Sequence, residues 1–204
     1  MNVVRFLLIL SIAAGMLGAS QEEGNAQEVS IIDREYEIKA VYLWHFARYV
    51  EWPESKAKEK EFVIGVLGKD LLEPYLGRIA ASKTVGDKKI VVRRFDSADD
   101  YKPSQILFIS SAPAKGRTET AEERLKAALA KTKGSPVLIV SDTPGLARKG
   151  AVISFLVDRQ ENRIKLEINP EAAKRAGLKV SSRLLALQDS GVVKLVEDDK
   201  KQGE

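Results

Sequence analysis

The chain has 204 residues, 44% hydrophobic and 30% charged, which is enough apolar substance for one globular core and too much for a disordered chain. Its 33 basic and 29 acidic residues alternate along the sequence and leave a formal charge of only +4, so no basic block points to nucleic acid. The absence of cysteine excludes disulfides, thiolate nucleophiles and cysteine metal sites.

Arg5 precedes a charge-free apolar run, Phe6 to Leu17, which is short for a lasting membrane span and suits the core of a signal peptide. Residues 1–19 are read as that signal peptide, with cleavage after Ala19, Ser20 or Ala26; an uncleaved anchor is the competing reading. Either way the folded part is exported. Residues 20–34 are polar and read as a flexible leader, 35–196 as a single domain, and 197–204 as a charged tail.

The stretch Glu35 to Pro53, EYEIKAVYLWHFARYVEWP, holds both tryptophans, three of the five tyrosines and the only histidine. Its spacing predicts a helix apolar around more than half its girth, with Val41, Trp44 and Ala47 on one stripe and Tyr42, Phe46, Tyr49 and Val50 on the next. Lys39, Arg48 and Glu51 are assigned to its polar face, and Pro53 ends the run. Part of this helix, around Tyr42, His45 and Tyr49, is expected to stay exposed as a partner-binding surface. Complete burial as core is the competing expectation.

Phe62 to Gly68 is a continuous apolar run, the pattern of a strand buried on both faces. A helix from Asp70 to Ala81 follows, then strands at Lys89–Phe95 and Ile106–Ser111, a helix opened by Thr120 and Glu123 at capping-box spacing, and a strand at Pro136–Ser141. This alternation predicts an α/β fold, a Rossmann-like three-layer sandwich with a mostly parallel sheet. Ala151–Val157 and Arg163–Ile168 flank Asp158–Asn162 as a C-terminal antiparallel hairpin with a five-residue loop. Asn169-Pro170 opens a helix that Gly177 stops, Ser181 or Ser182 caps another, and Val192–Val196 adds an edge strand.

Catalytic equipment is sparse. Gly65-Val-Leu-Gly68-Lys69 has two residues between its glycines where a phosphate loop needs four, and an acidic residue, Asp70, follows the lysine. Asp142-Thr-Pro-Gly145 reads as a turn. A lone His45 supports neither a triad nor a metal site, so no enzyme activity, metal or cofactor is expected. The carboxyl ends of the parallel strands are where a small ligand would bind such a sheet, and Gly68, Lys69, Ser110, Ser111, Asp142 and Thr143 could line a crevice there.

Four stretches, KAVYLWHFARYVEWP (39–53), FVIGVLGKD (62–70), VLIVSD (137–142) and GAVISFLVDRQENRIKLEINPEAAKRAGLKVSSRLLAL (150–187), together resemble the YfiR/HmsC-like family of exported bacterial proteins. The aromatic motif falls on Lys39, Ala40, Tyr42, Phe46, Tyr49, Trp52 and Pro53, and the second motif on Gly150 to Leu185. The resemblance implies a small Rossmann-like domain in the periplasm without enzymatic activity. It would restrain a membrane-bound diguanylate cyclase by binding its periplasmic part, and so limit cyclic di-GMP and biofilm. Self-association as a homodimer is a second partner expectation. A periplasmic small-molecule sensor or carrier is the alternative function. Members can carry redox-sensitive disulfides, which a chain without cysteine cannot form.

Overall fold

Apolar runs separated by polar turns build the centre of the sheet. The computed structural model describes the backbone of residues 22–54, 59–69 and 71–199, with side chains from Asp33 on. The expected signal peptide, 1–19, and the end of the tail lie outside the described residues. In chain order the strands are β1 (Val50–Glu51), β2 (Glu61–Leu67), β3 (Thr84–Val85), β4 (Lys88–Phe95), β5 (Ile106–Ile109), β6 (Leu138–Ser141), β7 (Ile153–Asp158), β8 (Arg163–Ile168), β9 (Lys179–Val180) and β10 (Val193–Leu195). The helices are α1 (Glu22–Tyr49), α2 (Glu73–Ser82), α3 (Ala121–Lys131), α4 (Pro170–Arg175) and α5 (Ser182–Leu185).

Eight strands form one sheet in the order β10-β8-β7-β6-β5-β2-β4-β3, and β1 pairs with β9 in a separate antiparallel ribbon. From β4 through β2, β5 and β6 to β7 all neighbours are parallel, and β8 joins β7 antiparallel as the expected hairpin. The five parallel strands taken alone run 2-1-3-4-5, so the winding reverses between β2 and β5. Asp158 pairs with Arg163, which shortens the hairpin loop to 159–162, and Asn162 takes the positive φ of 47° that closes it.

Every residue of β5 and β6 is buried, as the continuous apolar runs require of strands covered on both faces. Ile64, Val66, Ile106, Phe108, Leu138 and Val140 join one core with α1 from Tyr36 on, Leu76 of α2, Ala173 of α4 and Leu184 of α5. Their neighbours Leu67, Leu107, Ile109 and Ile139 join a second core with Leu125 and Ala128 of α3. Alternation along each strand thus makes three layers.

One expectation about α1, the assignment of its faces, is corrected. The chain divides after Glu35. Before that point the backbone is helical from Glu22, within the span read as a leader; the glutamates, glutamine and alanine there are good helix formers. From Tyr36 on, the buried stripe is Tyr36, Lys39, Ala40, Leu43, Phe46 and Val50, while Val41 is 38% exposed. The stripe keeps the 3-4 helical step through Leu43, so aromatic content misdirected the expected register. Lys39, assigned to the polar face, lies inside.

Candidate functional site

β6 ends at Ser141, and the next residue, Asp142, is the centre of a buried polar cluster between α1 and the carboxyl edge of the sheet. Lys39 Nζ lies 2.5 Å from Asp142 Oδ1, and both side chains are 2% exposed. The hydroxyls of Tyr36 and Ser111 donate to Oδ2 at 3.0 and 2.9 Å. Tyr36 and Lys39 share a helix face because they are three residues apart, and Ser111 follows β5, the strand next to β6. The ammonium sits 4.7 Å from the centre of the Tyr36 ring and 5.9 Å from that of Phe155. Two unit charges this deep require such additional donors and aromatic faces to offset their lost hydration.

The turn after Asp142 is fastened from the hairpin. Ser141 Oγ accepts from Thr143 N at 3.0 Å, and Glu167 of β8, 5% exposed, accepts from Gly145 N at 2.7 Å. The Thr143 hydroxyl is itself buried without a partner among the described residues. Across the edge, Gly68 has φ +100°, and a Cβ there would stand 2.7 Å from Ala112 O. Lys69 N donates to the same carbonyl at 3.0 Å while the Lys69 residue is exposed. Ser110 is buried, and its carbonyl accepts from Arg124 Nη2 at 2.7 Å. Arg124 of α3 also donates to Glu119 O, and burial pushes its pKa down.

The six residues expected at the carboxyl ends lie along β2, β5 and β6, but the Asp142 carboxylate is spent on Tyr36 and Lys39 of α1 and on the Ser111 hydroxyl, and Gly68 and Ser110 pack under Arg124. Both Asp142 oxygens are taken by protein donors. Tyr36, Lys39 and Glu167 complete the arrangement, and sequence reading missed all three roles. The resemblance motif that begins at Lys39 was the available signal.

Tyr42, His45 and Tyr49 are all half-buried and separate into two groups. Tyr42 lies 6.0 Å ring to ring from both Phe46 and Phe155, burial raises its phenol pKa, and the side chain of Tyr49 also packs on the same core. His45 instead meets Trp44, at 4.7 Å between rings. Trp44 is held by its Nε1 donating to Thr84 O at 3.2 Å and by Lys83 over its ring. Val41 and Arg48 are thus exposed on the outward face of α1 from Tyr36 on, with His45 half-buried beside them, while Trp44 packs in part on the core.

Among the described residues no group of three or more His, Asp or Glu could hold a metal ion, and no helix is long and apolar enough to cross a membrane. These features define the class: a small three-layer α/β domain whose mostly parallel sheet carries an aromatic helix pinned over its carboxyl edge. The YfiR/HmsC-like family matches residues 36–188, and the chain belongs to that family. No curated protein matches it. The crystal structure of a conserved domain protein from Vibrio cholerae is similar at a TM-score of 0.50 and 14% identity, over 78% of this chain and 59% of that one. This chain therefore spans little more than half the length of that neighbour, and the likeness is one of fold.

Proposed function

We propose that this protein is a non-enzymatic periplasmic regulator that restrains a membrane-bound diguanylate cyclase by binding its periplasmic part through the outer face of α1. The carrying observation is the division of that helix. Its inner stripe is fixed on the sheet by Leu43, Phe46 and the Lys39–Asp142 pair, while Val41 and Arg48 are exposed and His45 is half-buried beside them, a strip of apolar, aromatic and cationic groups. Those residue types are enriched where protein partners bind most strongly. Membership of the YfiR/HmsC-like family supports a regulatory role and suggests the kind of partner. The apolar run Phe6–Leu17 supports export to the periplasm.

Release of the grip would raise cyclic di-GMP and favour biofilm. In this chain the release cannot be an internal disulfide switch, because cysteine is absent. The test is a pull-down of the mature protein with the periplasmic domain of a neighbouring cyclase. The wild type should retain that domain and Val41→Asp should lose it; equal retention by both would remove α1 from the contact.

A further inference from the structure

At the end of the sheet opposite Asp142, a cleft of about 740 Å³ opens where α3 ends, β6 and β7 begin and α4 passes. That volume lies within the range of about 300 to 1,000 Å³ common for small-molecule sites. Its floor is apolar, made by Leu129, Val137, Ile139, Val152, Ala172 and Ala176. One wall is the segment 196–199 after β10, which hydrogen bonds hold in place. Val196 N donates to Ile168 O at 2.9 Å, Asp199 N to Arg148 O at 2.9 Å, and Asn169 Nδ2 to Asp198 Oδ1 at 2.8 Å.

The charges on the rim do not cancel. Lys149 is paired with Glu122 at 2.5 Å and Arg175 with Asp198 at 2.6 Å. Arg148 and Lys133 remain without an acidic partner among the described residues, beside the single carboxylate of Asp199. Arg148 is half-buried, so its guanidinium is already partly desolvated and gains more from an incoming anion than a surface lysine would. An apolar trough with one surplus positive charge at its lip matches a molecule with an apolar body and one anionic head.

We infer that this cleft binds a monoanionic amphiphile, a carboxylate on an unbranched apolar chain, with its head on Arg148 and Lys133 and its chain along Val137, Ile139 and Ala176. The site shares no residue with the outer face of α1, so it stands or falls independently of the cyclase contact.

Decanoate, kept below its micelle-forming concentration, is the probe, titrated calorimetrically into the mature protein and followed by thermal melting. The wild type should bind one decanoate per chain and melt higher with it. Arg148→Ser should weaken binding about tenfold, the size of one lost charge-assisted hydrogen bond. Ala176→Trp should fill the trough and abolish binding, and Lys133→Ser provides a second rim variant on an exposed side chain. Decylammonium, the same chain with the opposite charge, should not bind. Failure of decanoate to bind, equal binding of decylammonium, or binding unchanged in Arg148→Ser and Lys133→Ser alike would overturn the assignment.

Discussion

Lys39 and Asp142 stand 103 residues apart in sequence and meet at 2.5 Å inside the protein, joining α1 to the end of β6. Removing either partner takes a counter-charge from the other inside the core. Lys39→Met or Asp142→Asn should each lower stability by about 3 to 5 kcal/mol in urea unfolding. Replacing both by apolar residues of similar size should cost clearly less than the sum of the two. Single losses below about 1 kcal/mol, the size seen for exposed pairs, would mean that water reaches the pair.

Gly68 and Gly86 make a controlled comparison. Both have positive φ, 100° and 61°, but an added Cβ meets Ala112 O at 2.7 Å in the first case and nothing within 4 Å in the second. Gly86→Ala should show backbone strain alone, about 1 kcal/mol. Gly68→Ala should add the collision and destabilise by roughly 2 to 4 kcal/mol, read from the same unfolding curves.

Leu184 and Leu185 should separate as well. Leu184 is 2% exposed within the core and Leu185 is only partly buried against it. Leu184→Ala should cost about 2 to 5 kcal/mol and Leu185→Ala noticeably less. The reverse order in thermal melts would show that α5 presents the other face to the sheet.

Asp198 carries a pH signature. The hydrogen bond from Arg175, aided by that from Asn169, holds its carboxyl below the ordinary aspartate range despite partial burial. A lowered folded-state pKa means that the stability is present at neutral pH and is lost as the pH falls through it, in the window from about pH 5 to pH 2. Asp198→Asn should therefore lower the melting temperature at neutral pH and flatten its fall on acidification. A parallel fall in the two proteins would remove Asp198 from the acid response.

Much of the fold was legible because burial writes itself into composition. Continuous apolar runs marked β2, β5 and β6, Thr120 and Glu123 do form the expected capping box, and Asn169 does cap α4 through Ala172 N at 2.9 Å. The site was legible only in part. Ser111 and Asp142 could be placed at the carboxyl edge from strand ends alone, but a lysine at helical spacing beside a glutamate reads as solvated. Nothing local says that Asp142 lies across from Lys39. Glu167 was hidden for the same reason, since its partner is the backbone of Gly145 in another loop. On α1 the aromatic pattern alone did not order the faces: Tyr42 and Tyr49 pack in part on the core and Val41 lies away from it.

The proposed grip on a cyclase is tested most directly by calorimetric titration of the mature protein with the periplasmic domain of a diguanylate cyclase encoded beside it. A one-to-one complex is expected. Val41→Asp and His45→Ala should each weaken it by about 1 kcal/mol or more while leaving the melting temperature nearly unchanged. No complex with the wild type, or a complex that neither substitution weakens, would contradict the account.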